Sequence, residues 1–118
     1  RIEIMAAEFL HGVAPLMVDH TPAADVAAGT MVELGTVVRI AKQDIPADAL
    51  GALCAGNAVF RVDKAVSGGI TFADGAVVYL DETNQLATSS ASGNVKMGVA
   101  VGAAADADAF VDVHLNAN

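Results

Sequence analysis

The sequence predicts an all-β fold: a small, single-domain β-sandwich or barrel with short loops and an extended N-terminal segment. Apolar and polar residues alternate in several segments, which is the period of a strand with one buried face. Clusters of turn-forming residues separate these segments at intervals of roughly 8–12 residues, as in small sandwiches and barrels. Apolar stripes at helical spacing are missing, although several short stretches are rich in alanine.

Strand patterns occur in six segments. The clearest is 111–115, where valine and leucine alternate with Asp112 and His114. In 95–102 every second residue from Val95 to Val101 is large, which predicts one apolar face. The small residues between them suggest that another backbone approaches closely. The other predicted strands are 31–34, 36–41, 58–63 and 76–80.

Turn-forming clusters lie between these strands, at 67–69, 74–75, 81–84 and 89–94. Glycine adopts positive φ at little cost, and Asn and Asp side chains bond to their own backbone. The alanine-rich stretches 22–28, 46–50 and 103–109 are too short for helices and are expected to form turns or single helical turns. No internal repeat stands out. We therefore expect one domain, with 1–27 as an N-terminal arm or first strands that form a contact region and 28–118 as the β-sandwich or barrel core.

Composition argues against several classes of function. The chain contains six Lys and Arg residues and 14 Asp and Glu residues, which gives a formal net charge of −8. Nucleic acid is bound mainly by neutralising phosphates with basic side chains, so this surface would repel it. No stretch of about 18 apolar residues is free of charges or turn residues, so no membrane span is expected. Cys54 is the only cysteine, which excludes an intrachain disulfide and favours a buried apolar role.

Catalytic motifs are also missing. Gly93 and Gly98 have the separation of a phosphate-binding loop, but Val99 and Ala100 stand where the motif needs lysine and a hydroxyl residue. No Gly-x-Ser-x-Gly elbow is present. Nothing beyond the presence of both residues supports a catalytic pair of Cys54 and His114. We expect no enzymatic activity and no cofactor.

A metal site is not expected either. Asp106, Asp108 and Asp112 form an acidic cluster, but the sixth and twelfth positions counted from Asp106 lack the glycine and glutamate of a calcium-binding helical loop. A solvated loop and strand edge is the simpler interpretation. The three histidines lack the close pairing of a zinc motif and are expected at the surface or an interface. They are His11, His20 and His114.

Several segments resemble small capsid cement (head-decoration) proteins of tailed bacteriophages. The sequence at 93–100, GNVKMGVA, resembles the GN…iGvA signature near the C-terminus of that family. The sequence at 72–81, FADGAVVYLD, is similar to its fa.Gd.vyyD strand, and 111–115 resembles its final strand. The weaker middle pattern fits 50–53 and 60–64. The resemblance runs from Ala28 to Leu115, and 1–27 departs most.

The resemblance implies a structural virion protein on the outer surface of an icosahedral head, assembled in the host cytoplasm. Such proteins bind the major capsid protein and bridge neighbouring subunits, which stabilises the shell. They are compact β domains and homo-oligomers; a trimer is our first expectation and a dimer the alternative. A small-ligand or carbohydrate-binding β-barrel is the competing function, and a deep pocket with aromatic and polar walls would favour it.

The candidate contact residues, with capsid or with a second subunit, are Ile2, Ile4 and Phe9. Ile2 and Ile4 alternate with Arg1 and Glu3. This pattern suits a strand that is added to the edge of a neighbouring sheet. It equally suits an ordinary internal strand.

Overall fold

Ten antiparallel strands make up the fold in the computed structural model, which describes residues 6–12 and 14–117. The described residues contain no helix. The strands are β1 (Ala7–His11), β2 (Leu16–His20), β3 (Met31–Leu34), β4 (Val37–Ile40), β5 (Gly51–Gly56), β6 (Val59–Asp63), β7 (Val77–Asp81), β8 (Leu86–Thr88), β9 (Val95–Ala100) and β10 (Phe110–Leu115).

The strands form two sheets, which confirms the predicted all-β, single-domain fold. The six-stranded sheet has the order β1-β6-β10-β9-β7-β8, and the four-stranded sheet has the order β2-β5-β4-β3. The sheets pack face to face, with β4 against β9 and β5 against β10. The described part of 1–27 contains β1 and β2, each an edge strand of one sheet.

The main core fills the space between the sheets. Period-two alternation sends every second side chain of each strand inward. The largest fully buried side chains of the main core are Phe60, Met31, Ile40, Leu80, Met97 and Leu115. Burial of each such side chain stabilises the fold by about 1.5–3 kcal/mol. Cys54 is a free, fully buried thiol in this core, as the sequence predicts.

All six predicted strands are present, with ends that differ by no more than two residues from those observed. The alanine-rich stretches form turns and isolated β-bridges. Two strands were missed, β5 and β8, and no bounds were predicted for strands within 1–27, where β1 and β2 lie. Of these, β5 lies centrally in its sheet, and its GALCAG sequence has too many small residues to show alternation.

A β-bulge in β9 makes one face prediction wrong. Val78 opposes Gly98 and Tyr79 opposes Lys96, so Met97 is an extra residue in the ladder. The bulge switches the apolar face along β9. Val95 and Met97 pack into the core, whereas Val99 is half-buried. Val101, the next large residue of the predicted alternation, is 45% exposed.

The predicted close backbone approach does occur, at Gly98. A Cβ atom there would overlap the carbonyl oxygen of His114 and lie 3.0 Å from the His114 carbonyl carbon. Only glycine therefore fits where β9 meets β10.

The fold contains an internal structural repeat that the sequence does not reveal. The first unit is β2-β3-β4-β5 and the second is β6-β7-β9-β10, with β8 inserted after β7. Each unit pairs its first, fourth, third and second strands in that order, as β2-β5-β4-β3 and as β6-β10-β9-β7. β1 adds to the edge of the second unit.

Backbone hydrogen bonds in the loops support the repeat. Val26 and Ile45 exchange both backbone hydrogen bonds in the first unit, as Phe72 and Ala104 do in the second. We call these bridged segments the first loop pair (22–29 with 43–50) and the second loop pair (68–75 with 102–109).

The bonds next to each bridge also correspond. The N–H of Gly29 donates to the carbonyl of Ala41 at 2.7 Å, and that of Gly75 donates to the carbonyl of Ala100 at 2.8 Å. The return bonds run from Ala41 to Thr30 and from Ala100 to Ala76. The same backbone path therefore occurs twice.

The two units stack head to tail, because the faces that meet are not equivalent faces of the repeated unit. The first loop pair covers the outer face of the four-stranded sheet, where Ile45 packs with Leu53 and Ala41. The second loop pair lies inside the main core, to which Phe72 and Ala104 belong. The loop-pair face of the second unit therefore packs against the opposite face of the first.

Candidate contact surfaces

The predicted contact residues occupy two different parts of the chain. Ile2 and Ile4 lie outside the described residues. Phe9 lies in β1 and is half-buried. Its ring meets Phe60 edge-to-face at 5.6 Å between centroids, and Lys42 Nζ lies 3.8 Å from its centroid. Much of the Phe9 ring is thus already engaged within the chain.

A surface groove of about 400 Å³ runs beside β1. Its walls are mainly apolar, with Glu8 and Lys42 as the charged members. Such a groove lacks the several converging polar groups that fix a small ligand. The lining residues are Ala7, Glu8, Phe9, Gly29, Ala41, Lys42 and Phe60.

The exposed side of the six-stranded sheet, which we call the six-strand outer face, carries partly exposed aliphatic side chains together with charged ones. One row across it follows the strand register, from Val77 to Val99 to His114 to Val59. Val77 is 39% exposed, and His114 is exposed. Further along, Val101 and Phe110 are also exposed and line a shared groove.

An ion pair crosses this face. Arg61 Nε donates to Asp112 Oδ1 at 3.0 Å, and Arg61 Nη2 donates to Asp112 Oδ2 at 3.3 Å. The hydrogen bond to Asp112 and its charge raise the pKa of Arg61, with a smaller contribution from Glu8. Because the pair is exposed, it contributes no more than about 1 kcal/mol to stability. It leaves this part of the face polar but locally neutralised.

The outer side of the four-stranded sheet, the four-strand outer face, is covered in part by the first loop pair and also carries aliphatic side chains. Val18, Val32 and Leu34 are half-buried there and pack on the smaller core beneath the first loop pair. Arg39 is half-buried and stands opposite Val32 in the register of β3 and β4. A positive charge therefore sits among partly exposed aliphatic side chains.

The edges of the four-stranded sheet differ. Gln85 closes the β3 edge: its side chain accepts from the N–H of Met31 and donates to the carbonyl of Met31, both at 2.8 Å. Glu82 accepts from the N–H of Glu33 at 2.7 Å. At the opposite edge, no strand of the described residues pairs with the outer side of β2, where Leu16 is 54% exposed. An open edge of this kind can accept another strand.

The acidic cluster serves structural roles. Asp106 Oδ1 accepts from the N–H of Gly69, and Asp108 Oδ2 from the N–H of Ala105, both at 2.8 Å. Asp112 pairs with Arg61. Within 6–12 and 14–117, no group of three or more His, Cys, Asp or Glu residues could hold a metal ion.

The histidines lie in separate strands. His11 and His114 are both exposed and both stand opposite Val59, on either side of β6. His20 is half-buried at the end of β2. Cys54 is buried in the core while His114 lies on the six-strand outer face, so the two form no catalytic pair.

Sequence reasoning missed Lys64, which is only 3% exposed. Its ammonium donates to the carbonyls of Ala65 at 2.9 Å and Asp106 at 3.3 Å. It thus fixes the second loop pair from below. No sequence signal distinguishes this lysine from a surface lysine, because the carbonyl groups that it meets are brought together only by the fold.

Fold and surface together define a small β-sandwich module with two partly apolar outer faces and an open edge at β2. No helix in the described residues is long and apolar enough to cross a membrane. The family model described as phage cement protein matches residues 13–115.

This chain therefore belongs to the phage cement protein family, which confirms the resemblance seen in the sequence. It is a structural capsid protein of the virion and associates with capsid proteins. Comparison with curated proteins and with solved structures returned no match.

Proposed function

We propose that the protein is a capsid cement protein that binds the outer surface of an icosahedral phage head and stabilises it by bridging major capsid proteins. The family match carries this proposal. The surface supports it, because a bridge needs a stiff body with more than one contact surface. The two outer faces and the open β2 edge lie on one sandwich with a filled core.

Many equivalent weak contacts make such a bridge effective. A protein that fills every equivalent site of a shell converts modest affinity per contact into large overall stabilisation. The role needs neither catalysis nor a cofactor, and we propose none. The formal charge of −8 disfavours nucleic acid as a partner, and no membrane is required.

The N-terminal segment is the first proposed contact region. Ile2 and Ile4 would be added as a strand to a sheet edge of the capsid or of a second subunit, next to Phe9 in β1. We propose that the protein acts as a homo-oligomer, with a trimer ahead of a dimer, after assembly in the host cytoplasm. The ligand-binding alternative gains no support from the comparisons or from the groove beside β1.

The test adds the purified protein to expanded heads that lack it. We expect saturable binding by co-sedimentation, density on the outer surface in a cryo-EM map, and heads that release DNA at a higher temperature. Heads that are equally resistant with and without bound protein would refute the cementing role.

A paired variant tests the contact region. Replacing Ile2 and Ile4 by serine is expected to weaken head binding at least tenfold. Val66→Ser is the matched control, because Val66 is an aliphatic residue in a loop and is 55% exposed. Equal binding by the two variants would remove the N-terminal segment from the contact.

A further inference from the structure

We propose that the protein assembles with itself head to tail, with the six-strand outer face of one copy packed on the four-strand outer face of the next. The inference rests on the proposed function, since it names a second copy of the chain as the partner of these two faces. The contact repeats between chains the packing that joins the two units within one chain.

The six-strand outer face corresponds to a surface that is buried in the first unit. Strand register sets the correspondence. In the first unit Met31 opposes Ile40, and Ile40 opposes Cys54. All three are fully buried against the other sheet.

In the second unit the same three positions hold Val77, Val99 and His114. They lie on the six-strand outer face, where no sheet of the described residues covers them. An apolar position that one unit buries against a sheet is therefore partly open to solvent in the other.

The four-strand outer face is the complementary half. Val32 and Leu34 correspond to Val78 and Leu80, because each pair occupies the second and fourth positions of equivalent strands. Val78 and Leu80 are fully buried beneath the first unit. Val32 and Leu34 are only half-buried, since no second sheet of the described residues packs over them. Each free face thus matches one side of an interface that the chain already forms.

Charge also favours this pairing over like-to-like contact. The four-strand outer face carries Arg39 among its aliphatic residues, whereas Glu8 and Asp112 lie in the charged row of the six-strand outer face. Two four-strand outer faces would oppose Arg39 to Arg39, and the six-strand row, with Glu8 and Asp112 on either side of Arg61, carries one net negative charge. Opposite faces bring Arg39 towards carboxylates, which helps a chain of net charge −8 to self-associate.

A contact between two different faces has a defined consequence for assembly. It is heterologous, so it generates a closed ring when the rotation between copies closes, and an open filament when it does not. A two-fold dimer is not a product of this contact.

The experiment blocks one face at a time. Val77→Lys blocks the six-strand outer face, and Val32→Lys blocks the four-strand outer face. Val66→Lys is the control, because it makes the same charge change in an exposed loop. Masses are measured in solution, without heads, by sedimentation or light scattering, after far-UV circular dichroism confirms folding.

We expect the wild type and the control to form assemblies of at least three chains. Each blocked variant alone should be a single chain, and an equimolar mixture of the two should have the mass of two chains. The mixture regains one contact because each variant keeps the face that the other lacks. Val99→Lys and Arg39→Glu replace the first pair if either variant fails to fold.

Several results would overturn the proposal: a monomeric wild type, a blocked variant that assembles alone, a mixture that stays monomeric, or a control that dissociates. A dimer that persists in one blocked variant would indicate like-to-like packing. Because no capsid is present, these results are independent of head binding. Failure of the cementing role would therefore show in the head assay and not in these masses.

Discussion

Adding one methyl group at Gly98 tests the tightest contact in the six-stranded sheet. Gly98 follows the bulge in β9 and opposes both Val78 and Leu115. The backbone at the end of β10 passes through the space that a side chain on Gly98 would occupy. The Asn116 nitrogen lies 3.1 Å from the ideal Cβ position. In the Gly98→Ala variant the new carbon would overlap the carbonyl oxygen of His114, which cannot rotate away.

The cost follows from what must move. Relief requires β10 to shift away from β9, and overpacking of this kind costs about 1–3 kcal/mol. The shift also weakens backbone hydrogen bonds between the two strands, at about 1 kcal/mol each. We expect a loss of about 2–4 kcal/mol in the free energy of unfolding. For a domain of this size that is a fall of ~10 °C or more in Tm.

Gly56→Ala is the matched control. Gly56 is also buried, but an added Cβ would meet only the Leu115 carbonyl oxygen, at 3.9 Å. Loss of glycine entropy in the unfolded chain would then change stability by roughly +0.4 to +1 kcal/mol. Urea denaturation at equal protein concentration measures both variants. A Gly98→Ala variant within 0.5 kcal/mol of the wild type, a threshold set by the roughly 1 kcal/mol minimum for overpacking, would refute the close approach.

Three further predictions concern side chains that hold the sheets together. Asn116→Asp should cost about 2–4 kcal/mol in urea denaturation, because the Nδ2 group donates to two carbonyls of the four-stranded sheet that a carboxylate would leave unpaired; an unchanged midpoint would contradict this role. Gln85→Ala should speed amide hydrogen exchange at Met31 at least tenfold by opening the β3 edge, and equal exchange would show that the edge is closed otherwise. Cys54 should react with a thiol reagent only as fast as the fold opens, because it is fully buried; rapid labelling of native protein would disprove that burial.

Strand prediction succeeded where one face of a strand is apolar and the other polar. In β10 the alternation is unbroken, and the buried residues are those predicted. β5 fails this test because Leu53 and Cys54 are adjacent and both fully buried, one in each core. A strand covered on both faces has no period to detect.

The internal repeat was missed because one backbone path is stabilised by different side chains. In the first loop pair Asp44 accepts a hydrogen bond from the N–H of Ala28. In the second, Asp74 stands at the position of Ala28 and accepts from the N–H of Gly102 across the same gap. The carboxylate has changed sides while the contact is kept. The identities between the units, such as Gly29 with Gly75 and Leu34 with Leu80, are too scattered to reveal the repeat in the sequence.

The contact surfaces were harder to predict than the fold. Phe9 is a predicted contact residue, but only the tertiary structure brings Lys42 and Phe60 to its ring. In β9, alternation wrongly assigned Val99 and Val101 to the same face as Met97. A bulge is set by pairing with β7 and has no signature in the sequence of β9 alone.

Val99 points to the six-strand outer face, and this orientation bears on how copies of the chain assemble. Its counterpart Ile40 is fully buried because the second unit covers the first. No sheet of the described residues covers Val99 in the same way, yet the position is still aliphatic. In the strand register Val99 stands between Val77 and His114, and Val59 lies beyond His114. An exposed row of mainly aliphatic side chains on a sheet face lowers solubility unless another surface covers it. Because the chain already buries the equivalent row with its own second unit, the surface best shaped to cover this one is the first unit of another copy.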